Sequence, residues 1–277
     1  MGAKFSILVV CLNPGEKLKK TLESIKKQTF RDYEIIVKDG LSTDETWEYL
    51  CEAAKEMPEL CPVQEKDTGI YDAMNQAVRK ATGSYLYFLN CGDYFYDGQV
   101  LERVAALIEG YPSEHGIYYG NIFERVTGQV VASNPKIDAF GCYRNVPCHQ
   151  ACFYERELLL AHPFDTKYRV RADYEQFLWC FFTGNDKGKT AFVYGDMLIA
   201  DYEGGGFSES DKNKKLSEKE HQEIVRKYMP PAQVWKYRML MCLTLAPLRT
   251  WIARNPVTAG IYNKGKKLWY ERGRVTK

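Results

Sequence analysis

Apolar positions run and recur along the first third of the chain with two different periods. Phe5-Ser6-Ile7-Leu8-Val9-Val10-Cys11 is a nearly continuous apolar run, as a strand buried on both faces requires, and Asn13-Pro14-Gly15 breaks it. Leu18, Leu22 and Ile25 then recur at helical spacing. Tyr33 to Lys38 reads as a second strand ending at Asp39-Gly40. After it Ser42 or Thr43 caps a helix with Glu45 in its first turn and Trp47, Leu50 and Cys51 on its buried side. A short strand over Pro62 to Lys66, an amphipathic helix over Ile70 to Thr82 ended by Gly83, and a strand over Tyr85 to Leu89 continue the alternation. Strands alternating with helices of this length predict βαβ units, an α/β fold and a mostly parallel sheet with right-handed crossovers.

The pattern changes in the second half. Gly116 to Arg125 and Gln129 to Ala132 flank Val126-Thr127-Gly128 as a hairpin, and Pro135, Gly141 and Pro147 mark irregular chain. Ala151 to Tyr154 and Ala191 to Ala200 read as strands, and Asp173 to Phe182 and Ser217 to Tyr228 as helices. Gly204-Gly205-Gly206, within a polar loop over 201–213, serves either as a close backbone approach to a ligand or as a plain turn. Beyond Pro230-Pro231, Trp235, Tyr237, Met239, Leu240, Leu243, Leu248 and Trp251 are interleaved with Lys236, Arg238, Arg249 and Arg254, and a basic tail follows. That composition suits either an interfacial helix on an anionic membrane or a helix packed on the preceding domain.

Composition excludes several classes. At 45% hydrophobic and 27% charged residues over 277 positions, the chain fills one large domain with an appendage. A formal net charge of +2 gives no global attraction to nucleic acid. The nine cysteines form no paired C-x-x-C set, which argues against zinc and for a reducing, cytoplasmic setting. The first strand begins too early for a signal peptide, and no run reaches transmembrane length.

Candidate chemistry lies where strands end. Asp39 and Asp44, Asp67 and Asp72, Asp93, and Asp173 with Glu175 are delivered by separate elements. In an open α/β sheet such positions face one crevice beyond the carboxyl ends of the strands. Asp44 reads as a helix cap, and so does one of Asp67 and Asp72. Gly92 lets the backbone before Asp93 approach a ligand, and oxygen ligands of this type suit Mg²⁺ or Mn²⁺ carried by substrate phosphates. No G-x-G-x-x-G follows the first strand and no G-K-[ST] opens a helix, which disfavours dinucleotide and P-loop chemistry.

Taken in order, Val9-Val10-Cys11-Leu12-Asn13, Lys38-Asp39-Gly40-Leu41-Ser42-Thr43-Asp44, Asp67-Thr68-Gly69-Ile70-Tyr71-Asp72-Ala73-Met74-Asn75 and Phe88-Leu89-Asn90-Cys91-Gly92-Asp93 resemble family 2 glycosyltransferases, in the branch that builds bacterial surface polysaccharides. The resemblance covers about residues 4 to 208. It implies the GT-A fold, a Rossmann-like, mostly parallel sheet with helices on both faces, with a C-terminal helical extension. It divides the chain into a catalytic domain over 1–213, with a nucleotide-sugar half over about 1–95 and an acceptor half over about 96–213, and a helical, basic extension over 214–277. It implies an inverting transfer from a nucleotide-sugar, UDP-linked by likeness, to a glycan or polyprenyl-diphosphate-linked acceptor at the inner face of the cell membrane. Asp39, Asp67, Gly69, Tyr71, Asp72, Asn75, Asn90 and Asp93 would border the donor. Asp173 would be the base with Glu175 as fallback, and His149, Gln150, Arg171 and Gly205 would serve the acceptor or phosphate. One departure stands out. The family's Asp-x-Asp reads Asn90-Cys91-Gly92 here, so Asp93 alone supplies a carboxylate for Mg²⁺ or Mn²⁺, and a catalytically inactive sugar-binding module is the rival reading.

Overall fold

A computed structural model describes residues 3–184, 189–204 and 211–243. The strands are β1 (Phe5–Cys11), β2 (Tyr33–Asp39), β3 (Leu60–Gln64), β4 (Tyr85–Phe88), β5 (Tyr94–Phe95), β6 (Gly116–Glu124), β7 (Gln129–Val131), β8 (Cys152–Glu155) and β9 (Ala191–Tyr202). The helices are α1 (Glu16–Lys26), α2 (Thr46–Glu56), α3 (Ile70–Lys80), α4 (Val100–Gly110), α5 (Ala139–Arg144), α6 (Arg156–Ala161), α7 (Ala172–Phe182), α8 (Asp211–Tyr228) and α9 (Pro231–Leu243), with one 3-10 turn at His149–Ala151.

One sheet orders the strands β3-β2-β1-β4-β8-β6-β9-β5, with β7 paired to β6. Its first four strands are parallel, as the apolar runs predict. Side chains alternate across them. Phe5, Ile7 and Val9 share one core with Ile35, Val37 and Tyr87 and with Leu18 and Leu22 of α1, Leu50 of α2 and Val104 of α4. Leu8, Ile36, Lys38 and Phe88 therefore lie on the other face, where α3 covers β1 and β2 and Phe88 meets Phe164 edge-on at 5.4 Å.

Beyond β4 the sheet is mixed: β8 runs antiparallel to both β4 and β6, while β9 is parallel to β6. Tyr87 pairs with Phe153, so the residues that precede β8 lie beside the carboxyl end of β4. The reversal of β8 thus brings the His149–Ala151 turn to the edge where β1, β2 and β4 end. The stretch from 94 to 110, for which the sequence pattern above assigns no element, holds β5 and α4, whose Val100, Leu101, Val104 and Ile108 bury one helical stripe.

The first compact unit ends at Ile224. The first unit's reach into α8 has a physical cause. α8 carries buried Ser217 and Glu220, which hydrogen-bond the segment that leads into α7. The second unit begins at Val225 and, among the described residues, contains the end of α8, with buried Val225, and α9, none of whose described side chains is buried. The expected basic tail, with Leu248, Trp251 and Arg254, lies outside the described residues, as does Gly205.

Candidate active site

Lys38 is completely buried in β2 and pairs with Asp67, whose other oxygen accepts the Gly69 N–H at 3.1 Å. An ammonium without exposure needs a partner, so the Asp67 turn is drawn against the end of β2. Gly40 permits this approach, because a Cβ there would sit 2.7 Å from Asp67 Oδ2. Asp39 is equally covered. It accepts hydrogen bonds from the Ser42 N–H and hydroxyl and from Gln64 Nε2 at 2.9 Å. Asn13 and Leu41 take positive φ angles of 48° and 66°, and Asn13 Oδ1 accepts the Thr43 N–H at 2.8 Å. The loops after β1 and β2 are thereby tied together, with strained backbone at the crevice.

Asp44 and several residues expected at the donor hold backbone at this crevice. Asp44, one residue before the Glu45 N-cap of α2, accepts the Thr46 N–H at 3.1 Å, and its carboxyl is held below the usual range by that residue. Asp72 accepts the Thr68 N–H at 2.9 Å and the Thr68 hydroxyl at 3.0 Å, which lowers its pKa and stiffens the turn before α3. Asn75, expected at the donor, has both ends of its amide on the Phe164 backbone, at 2.8 and 3.0 Å. Tyr71, also expected there, is buried and places its hydroxyl 2.9 Å from the Val170 carbonyl and 2.8 Å from Asp173 Oδ1. Burial and the Asp173 charge raise its pKa, so it stays a phenol.

Asp173 opens α7 and is half-buried. Glu175, the fallback base, is fully buried with both oxygens on His162 Nε2 at 3.2 and 3.0 Å, and the His162 ring stacks on Trp179. Positions two apart on a helix face differently, and this one faces the core. Arg171, expected on phosphate, donates from Nε to Ser217 at 2.8 Å and lies over the Tyr174 ring.

The 3-10 turn joins the two ends of the crevice. Gln150 donates to Asp93 Oδ2 at 3.1 Å, while the His149 ring stacks on Phe88 and its Nδ1 is buried without a hydrogen-bond partner among the described residues. Burial lowers the His149 pKa against the opposing Asp173 charge, leaving it neutral at pH 7. Asp93 also accepts the Glu203 N–H at 2.8 Å, and Thr21 holds its carbonyl. Gly92, with φ of +101°, stands where the second acid of Asp-x-Asp would be, and a Cβ there would meet Glu203 Oε2 at 2.7 Å. Glu203 is paired with Lys17 at 2.7 Å, and Arg125 donates to the Gly92 carbonyl while lying over Tyr94. Half-buried Asn90 accepts the Asp93 N–H through its carbonyl. Among the described residues no three His, Cys, Asp or Glu side chains are grouped to hold a metal ion.

Sequence reasoning missed Lys17, Lys38, Gln64, Arg125, Glu203 and Glu220. Only Lys38 carries a signal, as a lysine inside an apolar strand beside an aspartate.

Residues 6–153 match the family described as Glycosyl transferase family 2. A relative in Mycobacterium bovis, the "PGL/p-HBAD biosynthesis glycosyltransferase", is 37% identical over 216 residues, covering 76% of this chain and 82% of that protein. The Escherichia coli "UDP-Glc:alpha-D-GlcNAc-diphosphoundecaprenol beta-1,3-glucosyltransferase WfaP" is 30% identical over 146 residues, 52% of this chain and 57% of that protein. The solved mannosyltransferase PcManGT from Pyrobaculum calidifontis, in complex with GDP-Man and Mn²⁺, aligns with a TM-score of 0.64 at 17% identity, covering 97% of this chain and 81% of that one. At that identity the likeness shows the fold.

Burial pushes the Asp93 carboxyl from 3.8 up to about 6, against the hydrogen bonds from Glu203 and Gln150 and the Arg125 charge. A folded-state pKa above the unfolded one means the folded protein binds the proton first as pH falls. This group therefore destabilises the fold above pH 6 and ceases to do so toward pH 4. Thermal melts are expected to lose the corresponding pH 4 to 6 slope, in which stability falls as pH rises by on the order of 2 kcal/mol, in Asp93→Asn. An unchanged slope in the variant contradicts the assignment.

Proposed function

The chain belongs to glycosyl transferase family 2 and is a glycosyltransferase of the GT-A fold, and from that premise we propose that it transfers a sugar with inversion from a UDP-sugar to a lipid-linked glycan hydroxyl, with Asp173 as base. One observation carries the choice of base. Asp39, Asp67, Asp72 and Asp93 are each engaged by a cation or by backbone N–H groups, whereas Asp173 is half-buried and meets only the Tyr71 hydroxyl among the described residues. A base must be reachable and unneutralised, and such a group contributes about 10²–10⁴-fold in rate.

In this reading the acceptor oxygen forms a bond to the anomeric carbon as the bond from that carbon to the diphosphate oxygen breaks. The hydroxyl proton passes to Asp173 and the nucleoside diphosphate leaves. The nucleoside lies against the turn that Asp39 and Ser42 shape, bordered by Asp67-Thr68-Gly69, and the diphosphate lies near Asn90 and Asp93. His149, neutral and with an unpartnered Nδ1 beside Asp173, suits a hydrogen bond to the acceptor or to the leaving diphosphate. WfaP is named for a UDP-glucose donor and a diphosphoundecaprenol-linked acceptor, which supports both substrate classes. PcManGT holds Mn²⁺ with its donor. An ion that arrives with the diphosphate would be held by Asp93 and the Asn90 oxygen, a hard-oxygen pair with one charge, and among the described residues there is no resident cage of three His, Cys, Asp or Glu side chains. Such an ion would be Mg²⁺ or Mn²⁺, and when bound it would offset diphosphate charge.

We propose further that α9 docks on the cytoplasmic leaflet. Trp235, Met239 and Leu243, spaced four apart on one face, are 66%, 43% and 74% exposed, with Lys236 and Arg238 between them. Among the described residues no helix is long and apolar enough to cross a membrane.

Two tests follow. Asp173→Asn is expected to lower transfer by at least about 10²-fold while calorimetric UDP-sugar affinity stays within a few-fold, and chelation of divalent ions is expected to weaken that affinity. Retained turnover in the variant refutes the base, donor binding without turnover in the unchanged protein supports the inactive-module rival, and full affinity in chelator removes the ion. The full chain is expected to float with anionic liposomes and a truncation after Pro230 to remain in the dense fraction. Equal behaviour of the two counts against docking.

A further inference from the structure

Glu220 stands outside the residues matched by the family and outside the acids that sequence reasoning selected. It is 5% exposed, and its carboxylate accepts three successive backbone N–H groups, from Arg169 at 2.9 Å and from Val170 and Arg171 at 3.0 Å each. Ser217, three residues earlier on α8, accepts Arg171 Nε, and His221 stacks on Tyr174 at 5.1 Å. One face of α8 thus lies along the segment that becomes α7. A carboxylate at that place also complements the positive end of α7.

The Arg171 N–H and the Val170 carbonyl belong to one peptide unit, and in a trans peptide they point to opposite sides. Glu220 accepts the N–H on one edge, and the Tyr71 hydroxyl meets the carbonyl on the other at 2.9 Å. That same hydroxyl lies 2.8 Å from Asp173 Oδ1. A phenol has one hydrogen to offer two acceptors, so the share that reaches Asp173 depends on where the 170–171 peptide is held.

We infer that Glu220 is a positioning residue for the proposed base: through the 170–171 peptide and Tyr71 it sets the orientation of the Asp173 carboxylate. The inference rests on Asp173 acting as proposed above. It assigns a catalytic consequence to α8, which touches neither donor nor acceptor in that reading. Misplacement of a reacting group by about 1 Å can lower a rate by about 10²-fold, so loss of this grip falls on turnover.

The test uses the full chain with the donor that gives transfer. Glu220→Gln keeps the size but replaces one acceptor oxygen by a donor facing an N–H. It is expected to lower kcat by roughly 10–100-fold with donor KM and calorimetric donor affinity within about threefold, and to speed amide exchange in peptides covering 166–174. Glu220→Asp is expected to recover part of kcat. Tyr71→Phe, which removes the opposite grip together with the hydrogen bond to Asp173, is expected to lower kcat with the same KM split, and the double variant to fall no further than the worse single variant. If Glu220→Gln does not fold, Tyr71→Phe decides: unchanged kcat overturns the inference. Unchanged kcat in Glu220→Gln, or equal worsening of donor affinity and kcat, also overturns it. Absence of transfer by the unchanged protein overturns the functional reading and this inference together, whereas transfer at equal rates in unchanged and variant proteins overturns the inference alone.

Discussion

A lysine ammonium with no solvent exposure, Lys38 inside β2, is the constraint on which the site depends. Removing one partner of such a buried pair costs about 3–5 kcal/mol, so Asp67 is held against Lys38. From Asp67 the rest of this end of the crevice follows: Gly40 must lack a side chain, the Gly69 N–H is captured, and α3 begins where Tyr71 can reach Asp173. Asp67 is thus the anchor of a turn, and the anchoring carries through to Asp173.

The antiparallel strand β8 makes the second connection. A purely parallel sheet would bring its strand N-termini to the far edge, away from the crevice. Because β8 is reversed, the residues before it arrive beside the end of β4, and one 3-10 turn presents Gln150 to Asp93 and His149 to the neighbourhood of Asp173. The burial that raises Asp93 toward neutrality destabilises the fold and suits a group that meets charge from a ligand, a combination that concentrates at functional sites.

Much of this was legible in the sequence. The apolar runs of β1, β2 and β4, the helical stripe of α3 and the turns that end the strands follow from periodicity and punctuation, and the motif order pointed to the family. The role of each acid was less legible, because a role depends on partners remote in sequence. Asp67 and Lys38 are 29 residues apart, Asn75 and Phe164 are 89 apart, and Tyr71 and Asp173 are 102 apart. Nothing local distinguishes Glu175, closed on His162, from Asp173, its neighbour two positions away. Glu220 reads as one charge among many on a polar helix, and only its three N–H partners set it apart.

The central claim is that one accessible carboxylate, Asp173, acts as base in a single displacement. It is tested most directly by the anomeric configuration of the first product, read from the anomeric proton coupling by NMR before any rearrangement. An α-linked nucleotide-sugar is predicted to give a β-linked product. An α-linked product would contradict a single displacement, and with it the assignment of Asp173 as the base.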